Sequence, residues 1–406
     1  MNRPQLCIVH CELCIYIEFI MKLNKTIQQI KPSGIREFFD IVSTMPDALS
    51  LGVGEPDFIT PWYIRDAAIK SVQKGYTSYT SNKGLAALLK EISKYLGERF
   101  GVCYDADEEI IVTVGASEAI DLALRVLIEP GDGVLIPSPS YVSYMPLATL
   151  CGGRPIPVEC SEADGFKLTP AKLAEAAAEG ARVLVVPYPN NPTGAIMTEE
   201  ELSALLPVIE KYDLAVISDE IYAELTYDGT HVSVPSLPGF RERTVLINGF
   251  SKAFAMTGWR LGYVAAPADV TAAMLKVHQY TALCAPTQSQ YAGLAALKEG
   301  REEGYRSVLD MKEEYSKRRR YITGELNALG LTCRMPGGAF YVFANVSSSG
   351  MDGQKFARGL LAAEKVAVVP GDAFGEAGKN YVRMSYATSL RTLMEAVKRI
   401  KRFLGK

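Results

Sequence analysis

Lys252 lies in the run Gly249-Phe250-Ser251-Lys252-Ala253-Phe254, which is not the setting of a solvated lysine. Apolar neighbours lower the pKa of an amine and leave it free to attack a carbonyl. Asp219 follows the apolar run LAVIS (214–218) and is itself followed by Glu220, Ile221 and Tyr222. A carboxylate there can cap a helix or face a buried cation. In Tyr188-Pro189-Asn190-Asn191-Pro192-Thr193-Gly194, two asparagines between prolines make either an ordinary Asx-turn or a rigid turn that aims an amide at a ligand. Gly115-Ala116-Ser117-Glu118 opens a helix pattern. Small residues bare the backbone N–H groups there and the helix dipole favours an anion, although serine at that place is also an ordinary cap. Ser138-Pro139-Ser140-Tyr141 brings an aromatic ring to the same level, with core packing as the simpler account, and Arg260 follows the lysine in Gly258-Trp259-Arg260.

Each of these has a bland explanation alone, but five at successive strand ends do not. An amine, a carboxylate, an amide, a ring and an anion cradle suit a phosphorylated aromatic aldehyde held as a Schiff base with its ring nitrogen paired to an acid. That describes pyridoxal 5′-phosphate. The competing nucleotide motifs are incomplete: Gly52-Val53-Gly54-Glu55-Pro56-Asp57 lacks the third glycine of G-x-G-x-x-G, and no G-x-x-x-x-G-K-[ST] occurs. Three histidines, two of them outside the strand-end set, cannot make a His-based metal site, so no metal is expected.

These residues need strands to present them. The apolar runs at 110–114, 133–137, 182–187, 214–218, 244–248 and 261–266 are short, rich in β-branched residues and without alternation, as strands buried on both faces are. Helical patterns lie between several of them, at 118–127 and 199–212 for example. Strands alternating with helices imply a largely parallel sheet covered on both sides, with ligands beyond the carboxyl ends of its strands. From about 288 the texture changes to long charged helices and a few strands, an α+β pattern with its own small sheet. The 406 residues exceed the ~250–300 that one hydrophobic core usually serves. The expected division is a tail at 1–20, a segment at 21–50 packing with the small domain, a large domain at 51–287 and a small one at 288–406.

Lys and Arg number 43 against 46 Asp and Glu, a net charge of −3 with no basic stripe, which argues against nucleic acid. Scattered cysteines at 103, 151, 160, 284 and 333 read as thiols in a reducing compartment, hence a cytoplasmic expectation, and no apolar run reaches the ~18 residues of a membrane span. Cys7, Cys11 and Cys14 have a spacing similar to the cluster loop of radical S-adenosylmethionine enzymes, but they stand isolated ahead of a second methionine, Met21, and are set aside as an extension.

The chain strongly resembles the class I/II pyridoxal-phosphate aminotransferases of fold type I, especially the bacterial aspartate and aromatic branch and the N-acetyl-diaminopimelate aminotransferase of bacilli. The motifs are SGIREFF (33–39), LGVGEPDF (51–58), YTSYTSNKGLAALLKEI (76–92), GASEAIDLAL (115–124), SPSYVSY (138–144), YPNNPTG (188–194), SDEIYAEL (218–225), NGFSKAFAMTGWRLGY (248–263) and YVRMSYATS (381–389), in order from about Met21 to the end. The resemblance implies a large domain with a mostly parallel seven-stranded sheet and a smaller α+β domain. It makes Lys252 the Schiff-base lysine and proton carrier, Asp219 the partner of the pyridinium nitrogen, and Tyr222 and Asn191 donors to the phenolic oxygen. Tyr141 stacks on the ring, Ala116, Ser117 and Arg260 hold the phosphate, Tyr79 reaches the phosphate of a partner subunit in a homodimer, and Arg383 clamps the substrate α-carboxylate beside the Gly34 backbone. One departure concerns the phosphate grip: the position three before the lysine, often serine in the family, is Gly249, and Ser251 stands next to the lysine instead. The implied reaction is ping-pong transfer of an amino group from an aspartate-like, aromatic or related L-amino acid to a 2-oxo acid, with 2-oxoglutarate as the expected acceptor. A C–S β-lyase or decarboxylase would share every cofactor contact.

Overall fold

The apolar runs become strands, and their alternate residues fill two separate cores. The computed structural model describes residues 21–30, 32, 45 and 47–406. Two units divide the chain, 1–31 and 32–406. In the first, Lys25–Gln29 is a helical turn capped by Asn24, whose side chain accepts from the Thr26 N–H at 2.8 Å.

In the second unit the strands in chain order are β1 (Leu49–Ser50), β2 (Ile110–Thr113), β3 (Gly133–Ser138), β4 (Arg154–Glu159), β5 (Ala181–Val186), β6 (Ala215–Asp219), β7 (Thr244–Gly249) and β8 (Gly262–Ala265). Seven of them form one sheet in the order β2-β8-β7-β6-β5-β3-β4. β3, β4, β5, β6 and β7 pair in parallel, and β8 runs antiparallel to both of its neighbours. Ile111, Val134, Val183, Val185, Ile217, Val245 and Val264 bury one face against the helix Gly115–Leu127, where Ile120, Ala123 and Leu124 point inward. Their neighbours Val112, Leu135, Leu184, Val216, Leu246 and Tyr263 bury the other. A sheet buried on both faces has no polar side, which is why its strands read as continuous apolar runs. β4 is the strand those runs do not include. It is an edge strand that alternates in burial and carries Pro155 and Pro157, which an edge tolerates because one side of its ladder is unpaired.

The C-terminal part adds β9 (Tyr341–Asn345), β10 (Val366–Ala367), β11 (Val369–Pro370) and β12 (Tyr381–Ser385). β11, β12 and β9 form an antiparallel sheet, and β10 pairs in parallel with β1. The Ser385 N–H donates to the Leu51 carbonyl at 2.6 Å, so the segment entering the large sheet's domain starts beside β12. Helices Arg306–Ala328, Gly353–Glu364 and Leu390–Phe403 cover the small sheet through Tyr315, Ile322, Phe356, Leu360, Leu393 and Ile400. The change of core comes later than the change of sequence texture. Ala292, Ala296 and Leu297 on the helix Thr287–Glu302, and Val308 beyond it, share a core with Ile64, Leu89 and Ile92. From Met311 onward this part of the chain buries against the small sheet, in a core that Leu51, Tyr222 and Leu225 also join.

Candidate active site

β6 and β7 are adjacent parallel strands, with Asp219 opposite Ile247, so the turns leaving them open side by side. Beyond them lies a cavity of about 760 Å³. Its wall includes Ala116, Ser117, Tyr141, Asn191, Asp219, Tyr222, Ser251, Lys252, Arg260 and Arg383, so ten residues chosen from sequence converge on one space. Tyr79 is not in that wall; it is 81% exposed. Gly34, the motif at 33–39 with Ile35 and Phe38, and the three N-terminal cysteines lie outside the described residues. Among the described residues no group of His, Cys, Asp and Glu is arranged to hold a metal.

Two ionisable groups face the cavity with opposite displacements. Asp219 is 6% exposed; its Oδ2 accepts from the Tyr144 hydroxyl at 2.7 Å and its Oδ1 from the Ile221 N–H at 3.2 Å. Burial raises this carboxyl above its ordinary value despite those two bonds, and neighbouring Glu220 adds to the rise. Burial pushes the Lys252 amine down to about 8, against the pull of Glu55 and with help from the cations Arg383 and Arg260. Its Nζ donates to the Gly54 carbonyl at 2.6 Å. The setting is thus an anion short of a cation and an amine that loses its proton far more readily than an ordinary lysine, with a minor neutral fraction already present near pH 7.

The anion cradle forms where β2 turns into the helix Gly115–Leu127. Gly115 has φ +75°, and a Cβ there would stand 2.6 Å from an Arg260 guanidinium nitrogen; only glycine lets the arginine lie against the helix start. Arg260 is itself left-handed at φ 51° and donates to the Thr257 carbonyl at 2.9 Å. The cap residue is Val114, with no side-chain cap, so Ser117 does not cap this helix. Glu118 accepts from the Val114 N–H at 2.5 Å, and its other oxygen lies 2.8 Å from His278 Nδ1, which fixes the elbow from behind. Gly249 does not line the cavity, and a Cβ there would stand 2.9 Å from Gly262 Cα on β8. That position packs two strands together, while Ser251, 8% exposed, faces the cavity.

Opposite lies Arg383 on β12, 3% exposed. It donates to the Asn191 side-chain oxygen at 3.0 Å and to the Gly52 carbonyl at 2.6 Å, and its guanidinium is sandwiched between the rings of Tyr341 at 4.4 Å and Phe374 at 4.8 Å. Its buried Nε finds no partner among the described residues. The two asparagines part ways. Asn190 makes the Asx-turn, accepting from the Thr193 N–H and hydroxyl, while Asn191 faces the cavity. Sequence reasoning missed Tyr144, which opens the helix Tyr144–Leu150 just past the turn that holds Tyr141, and Tyr341, which sits in PGGAFYVFANV with nothing polar around it to mark it. It also passed over Glu55, whose carboxylate accepts from Thr257 and whose charge acts on Lys252.

This donor set fits pyridoxal 5′-phosphate. The underbalanced Asp219 suits a cationic ring nitrogen, the uncapped helix start with Arg260 suits a phosphate, and the amine suits an aldehyde. The orphaned Arg383 Nε suits a carboxylate oxygen. Residues 46–400 match the family described as Aminotransferase class I and II. Over 384 residues the chain is 52% identical to YugH of Bacillus subtilis (strain 168), which is named as an aminotransferase, with 95% of this chain and 98% of that protein covered. Among solved structures it is similar to an aromatic aminotransferase from Pyrococcus horikoshii OT3, with 42% identity, a TM-score of 0.86, and 91% and 98% of the two chains covered. It is also similar to an aspartate aminotransferase from Thermus thermophilus with maleate, with 36% identity, a TM-score of 0.90, and 95% and 100% covered.

Proposed function

Since the chain belongs to the aminotransferase class I and II family and is a pyridoxal-phosphate-dependent transaminase, we propose that it moves the amino group of an aspartate-like, aromatic or related L-amino acid to 2-oxoglutarate by a ping-pong route. The observation that carries this reading is the Lys252 amine and the Asp219 carboxylate opening from adjacent strand ends into one cavity.

Bound here, the cofactor supplies an electron sink that makes the substrate's α-proton removable. Lys252 would hold the cofactor through its amine, and when that amine is free it would take and return the substrate's α-proton. Asp219 holds the proton of the ring nitrogen, which its raised affinity for a cation favours, and Tyr144 orients its carboxylate. Tyr222 and Asn191 hydrogen-bond the phenolic oxygen, and Tyr141 covers the ring. Ala116, Ser117, Ser251 and Arg260 hold the phosphate, joined by Tyr79 reaching across from the second copy in a homodimer. Arg383 clamps the α-carboxylate with a planar fork that its two aromatic neighbours keep fixed, the Gly34 backbone alongside.

The small domain at 288–406 is proposed to carry the carboxylate clamp, and the domain at 51–287 the cofactor. Among the described residues the five cysteines are unpaired and no helix is long and apolar enough to cross a membrane. Unpaired thiols suit the reducing cytoplasm proposed for the enzyme. The test is a panel of L-amino acids with 2-oxoglutarate. Glutamate formed in step with a donor-derived 2-oxo acid, and only with acceptor present, supports the reading. Acceptor-independent release of ammonia and pyruvate from a cysteine-type substrate would replace it with a β-lyase, and acceptor-independent carbon dioxide with a decarboxylase.

A further inference from the structure

Tyr341 opens β9 and is 1% exposed, and its hydroxyl oxygen lies 2.9 Å from that of Tyr222. The two rings meet nearly edge-on, their centroids 6.0 Å apart at 77°, so the contact runs through the hydroxyls rather than the ring faces. The approach depends on a glycine, since a Cβ at Gly54 would stand 2.7 Å from the Tyr341 hydroxyl oxygen. The charged and titratable groups facing the pair are Arg383 from β12, over the Tyr341 ring, and Lys252 from the turn after β7, 5.7 Å from the Tyr222 ring centroid. Tyr141 from the turn after β3 and Glu55 from the segment before the first long helix complete the set. Among the described residues each of the two hydroxyls has only the other as partner.

We infer that Tyr341 is a positioning residue whose hydroxyl donates to the Tyr222 oxygen and so strengthens the hydrogen bond that Tyr222 gives to the phenolic oxygen of bound pyridoxal phosphate. The inference rests on the role proposed above for Tyr222. A phenol has one proton; with that of Tyr222 committed to the cofactor, the Tyr222 oxygen can only accept, and Tyr341 is the donor beside it. Linked hydrogen bonds polarise one another, most effectively away from water, and both tyrosines are buried. A firmer bond to the phenolic oxygen draws charge from it and lowers the proton affinity of the nitrogen joining Lys252 to the cofactor.

The experiment is a double-mutant cycle on the cofactor-loaded, substrate-free protein, reading the pH midpoint of its visible absorbance change. Tyr341→Phe keeps the ring over Arg383 and removes only the hydroxyl. Tyr222→Phe is expected to raise the midpoint by about one unit, a tenfold rise in proton affinity. Tyr341→Phe is expected to raise proton affinity about two- to fourfold, as befits a second bond in the chain. In the Tyr222→Phe background the Tyr341 substitution is expected to add nothing. A shift in Tyr222→Phe with none in Tyr341→Phe overturns the inference alone, and so does an equal Tyr341 effect in both backgrounds. No shift in Tyr222→Phe overturns the role given to Tyr222, and the inference with it.

Discussion

The large parallel sheet delivers Asp219, Ser251 and Lys252 at or just beyond the ends of its strands, whereas the small antiparallel sheet delivers Tyr341 and Arg383 from within its ladder, where Arg383 lies opposite Phe343 and Ser385 opposite Tyr341. Turns past parallel strands are free to differ, so that half of the cavity gathers an amine, a carboxylate, an amide and an anion cradle. A ladder position fixes side-chain direction by the pleat. That suits one rigid fork held between two rings. The halves also differ in sign. Burial raises the Asp219 carboxyl and depresses the Arg383 guanidinium, so the Asp219 end of the first half favours a bound cation and the Arg383 fork of the second a bound anion.

This contrast can be broken from either side. On the strand-end side, Lys252→Ala is expected to lower kcat by about 10⁴-fold or more, since one residue is both nucleophile and proton carrier. Asp219→Asn keeps the shape and removes the charge. A loss of about 10³-fold in kcat is expected there, comparable to losing a preorganised electrostatic contact, with partial recovery in Asp219→Glu. On the ladder side, Arg383→Lys is expected to raise KM for the amino donor about 10- to 100-fold through loss of the paired hydrogen bonds, with cofactor affinity unchanged by titration. An equal loss of cofactor affinity would show that the two halves are not separate.

The smallest effect concerns pH. With the Lys252 amine near 8, the rate at which cofactor-free protein takes up pyridoxal phosphate should rise about tenfold per pH unit below 8 and level off above it, because only the neutral amine attacks. Stability follows the same shift. The amine is depressed from its ordinary 10.5, so the folded chain binds fewer protons than the unfolded one between about 8 and 10.5. The cost of the buried charge is therefore fully present below 8 and is relieved as pH rises through that window. Urea denaturation should find cofactor-free Lys252→Met more stable than wild type below pH 8, with the advantage fading toward 10.5.

The strand-end half was legible in sequence because buried parallel strands are continuous apolar runs, and whatever polar residue interrupts them lies near the crevice. Lys252, Asp219 and Asn191 are such interruptions. The rest follows different rules. β4 alternates and carries two prolines, so it does not read as a core strand, although it completes the sheet. Tyr144 is set against Asp219 by the fold, at a sequence distance of 75 residues, and no local pattern announces that. Arg383 was placed by family resemblance; its own surroundings, YVRMSYA, give an arginine inside a strand with no sign of which face it takes. The Tyr341 hydroxyl meets a partner 119 residues away, and its sequence neighbours are all apolar.

The account stands on Lys252 as the residue that holds the cofactor. Borohydride reduction of the loaded protein, followed by peptide mapping, tests it directly. The expected result is one pyridoxyl-phosphate label per chain, on the peptide containing Lys252, and none in Lys252→Ala. A label on another lysine, or full cofactor-dependent turnover without any label at 252, would contradict it.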